Sequence, residues 1–201
     1  MYKIQTLNKI SSIGTDVFDK SKYVLSDDCA NPDAIMVRSA KMNDMTFGDN
    51  LLAIARAGAG VNNIPVDRCA EEGICVFNTP GANANAVKEL AICAILLASR
   101  KITEAAAWTA SLKGTPDAPK VVEGGKSMFA GPEIAGKTLG IIGLGAIGGK
   151  IANTAIALGM KVIGYDPYLS VNAAISLEPS VKIANDLNDI LKNSDYISIH
   201  M

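Results

Sequence analysis

The sequence predicts an α/β protein built on two parallel sheets, and three observations predict it. Short apolar runs alternate with helical patterns along most of the chain, the order that repeated strand–helix units impose. Polar or glycine-rich clusters follow those runs, at Arg38-Ser39, at Arg56-Ala57-Gly58-Ala59-Gly60, at Asn78-Thr79-Pro80-Gly81 and over 143–148. Residues 139–142 are almost continuously apolar, as a strand covered on both faces should be.

Taken in order, strands are expected at 2–7, 22–25, 33–37, 51–55 and 74–77, with a helix over 65–72 stopped by Gly73. Asn83 or Asn85 can cap the next helix. In that helix Val87, Leu90, Ala91, Ala94, Leu97 and Ala98 form one apolar stripe, and Ile92, Ile95 and Leu96 fill other faces. It is therefore expected to be buried nearly all round and to continue through 102–112. Residues 113–136, rich in Gly, Pro and Lys, read as an irregular connection. Within them Gly124-Gly125-Lys126-Ser127 imitates the end of a phosphate-binding loop. That motif needs a glycine five positions before Gly125, where Lys120 stands, so the likeness is rejected.

The densest signal follows. The strand at 139–142 runs into Gly143, Gly145 and Gly148, spaced G-x-G-x-x-G. The first glycine allows a tight turn, the second lets a pyrophosphate approach the backbone, and the third lets a helix pack close to the strand. Ile147, Ile151, Ala155 and Leu158 recur at helical spacing before Gly159, and the start of that helix offers free N–H groups to an anion. A second strand, 161–165, ends in Asp166, close to the roughly 20-residue spacing from Gly148 at which an acid binds the ribose hydroxyls. Its charge repels a 2′-phosphate, so NAD is expected over NADP. Further strands are expected at 181–184 and 195–200 around a helix over 186–192. That makes four strands after Gly136, where a complete dinucleotide sheet has about six; the expectation is a domain cut short or an incomplete sequence.

Composition narrows the classes. The net charge is −1 and aromatic residues make up 5% of the 201, so no basic field advertises nucleic acid or a membrane surface. Cys29, Cys69, Cys75 and Cys93 have no metal-ligand spacing and lie mostly in apolar runs. They read as buried thiols of a reducing compartment. With no signal-peptide pattern at the start and no apolar stretch long enough to span a bilayer, a soluble cytoplasmic protein is expected.

Four stretches together resemble the NAD-dependent D-2-hydroxyacid dehydrogenases, most closely their phosphoglycerate dehydrogenase branch. They are Val37-Arg38-Ser39, Arg56 through Asn63, Phe77 through Asn83, and Gly136 through Gly148 with Gly164-Tyr165-Asp166-Pro167. The resemblance implies two doubly wound parallel-sheet domains: a flavodoxin-like substrate domain over 1–84 and a truncated Rossmann NAD-binding domain over 85–201. It implies oxidation of the C2 hydroxyl of a small acid, for that branch 3-phosphoglycerate to 3-phosphohydroxypyruvate in serine biosynthesis, by a homodimer. Arg38, Ser39, Arg56, Gly58, Ala59, Gly60 and Asn83 would then bind substrate. The arginines suit a phosphate or carboxylate, and Gly58-Ala59-Gly60 can present successive N–H groups to a carboxylate. Gly143, Gly145, Ala146, Ile147, Gly148, Asp166 and His200 would bind the cofactor. The family's catalytic arginine, glutamate and histidine lie beyond Met201. No catalytic residue and no metal ligand is carried over, and the 201-residue chain alone is expected to be inactive. His200, the sole histidine, matches a fourth-strand position near the nicotinamide rather than the general base. The alternatives are a non-catalytic NAD-binding regulatory module and an inert fragment.

Overall fold

The computed structural model describes residues 1–201, and the chain separates into two compact units, Met1–Asn83 and Ala84–Met201. In the first, β1 (Tyr2–Leu7), α1 (Ser12–Thr15), β2 (Tyr23–Ser26), β3 (Ala34–Val37), β4 (Ala53–Arg56), α2 (Val66–Glu71) and β5 (Cys75–Phe77) follow in order. The five strands pair in parallel in the order β2-β1-β3-β4-β5, the flavodoxin-like order. Ile35, Val37 and Ile54 point from β3 and β4 into a core completed by Met42, Leu51, Ile64, Cys69 and Ile74. The register sets Leu7 beside Val37, Val37 beside Arg56, and Ala55 beside Phe77. The loops that begin at Asn8, Arg38, Ala57 and Asn78 therefore leave one edge of the sheet together.

The second unit opens with α3 (Ala84–Arg100), α4 (Ile102–Ser111), α5 (Ala118–Gly125) and a 3-10 turn (Lys126–Phe129). Then come β6 (Thr138–Ile142), α6 (Gly148–Ala157), β7 (Lys161–Tyr165), α7 (Val171–Ile175), β8 (Lys182–Ile183), α8 (Leu187–Asn193) and β9 (Tyr196–Ile199). The parallel order β8-β7-β6-β9 is the 3-2-1-4 order of a Rossmann sheet. Leu139 and Ile141 of β6 pack with Ile151, Ala152 and Ala155 of α6 and with Val162 of β7. On the other face Ile142, Ala184 and Ile190 form a smaller core. Gly140 explains how closely α8 approaches: a Cβ there would lie 2.6 Å from the Ile190 side chain.

Five expectations are corrected. Helix α3 is not buried all round: Ala84, Ile95 and Ser99 are its buried residues, and Leu90, Cys93 and Ala94 are exposed. Its inward face is Ala91, Ile92, Ile95 and Leu96, fixed by Ser99, whose hydroxyl lies 2.8 Å from that of Tyr196. A helix apolar on every side carries no periodic signal that picks its buried face. Asn85 lies inside α3, where its side chain donates to Glu89, so Asn83 alone stands at the helix start. Helix α4 does not continue α3, because Lys101 adopts a left-handed conformation (φ 48°) between them. Residues 113–136 contain α5 and the 3-10 turn. Two of their glycines are required by packing: a Cβ on Gly125 would lie 2.5 Å from the Trp108 ring, and one on Gly131 would lie 2.0 Å from the Ser99 carbonyl. Gly124 and Gly125 close helix α5, so this stretch is neither a phosphate loop nor the flexible polar loop expected in its place. Of the cysteines, only Cys69 is buried; Cys29 is half-buried, Cys75 and Cys93 are exposed, and all four are free.

Candidate functional site

The glycine loop of the second unit is shaped by contacts rather than by the motif alone. Gly143 has φ +93°, a conformation that favours glycine, and a Cβ there would lie 2.5 Å from the His200 carbonyl. Its N–H donates to Tyr165 O at 2.8 Å, which seals the turn to β7. Gly148 begins α6 against the turn, and a Cβ there would meet the Gly143 carbonyl at 1.8 Å. Gly145 differs: nothing lies within 4 Å of the Cβ position, and Gly145 and Ala146 are exposed. The amides of Ala146, Ile147 and Gly148 have no backbone acceptor, as expected of a helix's first turn. An open surface lined by free N–H groups suits the pyrophosphate of NAD, so the residues present fit that group.

Asp166, at the end of β7, braces this loop. Its Oδ2 accepts from Leu144 N–H at 2.9 Å and its Oδ1 from Tyr168 N–H at 2.9 Å. Each oxygen keeps a further lone pair for a ligand hydroxyl. The sequence reading missed this bracing role because a ribose contact and a loop brace leave the same mark, one acid at a strand end.

His200 follows β9. Its N–H donates to Ile142 O at 2.7 Å, and its Nε2 lies 2.7 Å from the Ser198 hydroxyl. Burial pushes its pKa below the ordinary histidine value, because the imidazolium loses hydration. With the folded pKa depressed, the unfolded chain binds the proton more readily, so this group costs stability as pH falls through the ordinary range near 6.5. Between about pH 7 and pH 5 the wild type is expected to lose more of its urea midpoint than His200→Gln; parallel midpoint curves would contradict this.

In the first unit, the loops at the carboxyl edge of the sheet form a linked set. Asn8, at φ 70°, accepts from the N–H groups of Ser39 and Ala40 at 2.8 Å each. Arg56 Nε donates to Arg38 O at 3.1 Å, and the Arg56 guanidinium lies over the next turn, 3.0 Å from the Cβ position of Gly60. Asn63 is buried; its Nδ2 donates to Ala40 O and its carbonyl accepts from Met42 N–H, both at 2.8 Å. Asn78 Nδ2 donates to Ala59 O at 2.6 Å and Thr79 N–H to Gly58 O at 2.9 Å. Arg38, Ser39, Arg56, Gly58, Ala59 and Gly60 are thus brought to one edge. Asn83 stands exposed just before α3, with no hydrogen bond to that set. The sequence reading gave the arginines and glycines a role in the site but gave none to Asn8, Asn63 or Asn78, since asparagine after a strand is also an ordinary turn residue.

Beside this set lies a depression of about 830 Å³ lined by Lys9, Ser11, Ser12, Thr15, Met36 and Arg38 among others. Neither Lys9 nor Arg38 belongs to any of the chain's ion pairs, and no acidic residue lines the depression.

Comparison with known proteins agrees with this anatomy. The chain is 38% identical over 184 residues to the D-3-phosphoglycerate dehydrogenase of Methanocaldococcus jannaschii, covering 90% of this chain and 33% of the relative. It is 42% identical over 174 residues to the hydroxypyruvate reductase of Thermotoga maritima, covering 84% and 51%. The chain thus spans between a third and about half of these relatives' lengths. Among solved structures, the NAD+-bound 3-phosphoglycerate dehydrogenase of Entamoeba histolytica matches with TM-score 0.71 at 24% identity, over 100% of this chain and 62% of that one. The D-mandelate dehydrogenase of Rhodotorula graminis matches with TM-score 0.70 at 22% identity, over 100% and 65%; at these identities the likeness shows the fold. Residues 92–201 match the family described as "D-isomer specific 2-hydroxyacid dehydrogenase, NAD binding domain", and the chain belongs to that family.

Proposed function

We propose that this chain supplies the substrate-binding and NAD-binding parts of a dehydrogenase that oxidises the C2 hydroxyl of a phosphorylated D-2-hydroxy acid, 3-phosphoglycerate above others. The observation that carries the choice is the depression holding Lys9 and Arg38, without a counter-charge, beside the Arg56 turn. Two anion sites at one sheet edge suit a ligand with a carboxylate at one end and a phosphate at the other. The relatives' names bracket the same choice, one acting on a phosphorylated acid and one on an unphosphorylated one.

In this reading the first unit, about residues 1–84, binds substrate and the second binds cofactor. Arg56 and the Gly58-Ala59-Gly60 turn hold the carboxylate, while Arg38, Ser39 and Lys9 hold the phosphate. Asn83, at the start of α3, contributes a polar contact to substrate. Gly143, Gly145, Ala146, Ile147 and Gly148 receive the cofactor's pyrophosphate, Asp166 its ribose hydroxyls, and His200 borders it. Bound NAD+ supplies the hydride acceptor. The hydroxyl proton must leave with the hydride, and no residue of this chain is proposed as its acceptor: His200 is tied to Ser198 at the end of β9. Without that acceptor, turnover by these 201 residues alone is not expected. Pairing of two chains is supported by the exposed Ile197 and Ile199 of β9, which lies at a sheet edge. Four free thiols suit the cytoplasm, and serine biosynthesis would be the setting.

Calorimetric titration tests the proposal. 3-Phosphoglycerate is expected to bind more tightly than D-glycerate, and Lys9→Ala to reduce that preference by about tenfold with D-glycerate affinity unchanged, the effect of one lost charge-assisted hydrogen bond. Equal affinity for the two acids in the unmodified chain would favour an unphosphorylated substrate. Failure to bind NADH would remove the dehydrogenase reading.

A further inference from the structure

We propose that Asn78 and Thr79, at the start of the loop after β5, are positioning residues that turn the Gly58-Ala59-Gly60 backbone into an anion cradle. This rests on the reading that this turn receives the substrate's carboxylate. Strands β4 and β5 are neighbours, with Ala55 level with Phe77, so the residues just after each strand meet. Thr79 N–H donates to Gly58 O at 2.9 Å and Asn78 Nδ2 donates to Ala59 O at 2.6 Å. Two successive carbonyls are therefore drawn toward the same segment.

A trans peptide points its C=O and its N–H in opposite directions, and the chain has no cis peptide bond. Fixing the carbonyls of Gly58 and Ala59 on one side therefore aims the N–H groups of Ala59 and Gly60 to the other. Neither amide has a backbone acceptor, and both residues are exposed. Adjacent amides aimed the same way form a concavity for an anion. The Arg56 guanidinium lies over that turn, its Cζ 3.5 Å from the Cβ position of Gly58 and its Nη1 3.0 Å from that of Gly60. Thr79 adds a longer contact, its hydroxyl donating to Arg56 O at 3.4 Å, which ties the same segment to the root of the arginine. Ala59–Gly60 is the peptide most easily rotated, because Gly60 has no side chain to oppose it. Asn78 holds that peptide.

The test is a titration of the ¹⁵N-labelled 201-residue chain with 3-phosphoglycerate, following amide shifts and affinity together. In the unmodified chain, the amide protons of Ala59 and Gly60 are expected to move downfield as they donate to the carboxylate. Asn78→Ala should weaken binding about tenfold, the worth of one such hydrogen bond, and abolish the Gly60 shift. Asn78→His, whose ring N–H reaches the same carbonyl, should restore both. Asn78 is exposed, so amide signals outside 56–62 and the immediate neighbours of residue 78 should stay in place. If Asn78→Ala disturbs them widely, Asn78→Ser gives the graded version, with intermediate affinity expected. Wild-type affinity and a retained Gly60 shift in Asn78→Ala or in Asn78→Ser would overturn the positioning role while leaving the carboxylate reading intact. Binding of 3-phosphoglycerate with no shift at Ala59 or Gly60 in the unmodified chain would overturn both.

Discussion

Gly145→Val is expected to abolish NADH binding while leaving the thermal melt almost unchanged, and Gly148→Val to destabilise the second unit itself. The two positions belong to one motif, yet they fail for different reasons. A Cβ on Gly145 meets nothing within 4 Å, so the folded chain accommodates it. The branched side chain then fills the surface where the pyrophosphate must approach backbone N–H groups. A Cβ on Gly148 would sit 1.8 Å from the Gly143 carbonyl and 3.2 Å from the Ile141 side chain. Backbone cannot yield as a side-chain tip can, so α6 must move off β6 and open the core of Leu139, Ile141 and Ile151. Overpacking of that kind costs about 3 kcal/mol or more. Fluorescence titration with NADH and a thermal melt of each variant read the two effects separately. NADH binding by Gly145→Val at wild-type affinity would show that the cofactor does not cross this turn.

The same contrast shows what the sequence could and could not carry. The strand, glycine, helix, strand and acid order over 138–166 was legible because each step has its own chemical signature, and β6, α6 and β7 stand where that order put them. The parallel pairing of the first sheet was legible because strands recur with polar loops at one end, which gather at Arg38, Arg56 and Asn78. The inward face of α3 was not legible: Leu90 and Ile92 are equally apolar in sequence, and only packing against α6 and the Ser99–Tyr196 contact decide between them. Nor was helix α5, because Pro119, Gly124 and Gly125 read as loop residues. Pro is tolerated in a first helical turn, and Gly125 makes room for Trp108. In the candidate site, charged and glycine residues announced themselves, whereas Asn8, Asn63 and Asn78 act by holding backbone in other loops, a long-range effect with no local pattern.

Asp166→Ala is expected to weaken NADH binding by about 10–100-fold and to erase most of the preference over NADPH. Two separate losses add. The carboxylate can accept from ribose hydroxyls, and a hydrogen bond to a charged group contributes about 1.5–3 kcal/mol. It also accepts from Leu144 N–H and Tyr168 N–H, so its removal leaves the amide beside Gly143 without a partner and loosens the turn. Asp166→Asn does not restore the arrangement: one oxygen can accept from one of these amides, but the NH2 group then faces the other donor. The asparagine variant should bind NADH more weakly than the wild type and show little discrimination against NADPH, since it carries no charge to repel the 2′-phosphate. Parallel titrations of the wild type and both variants with NADH and NADPH measure affinity and preference at once. Tighter binding of NADPH than NADH by the unmodified chain would exclude Asp166 as the residue that reads the ribose. Unchanged NADH affinity in both variants would show that the bracing of Leu144 contributes nothing to the turn.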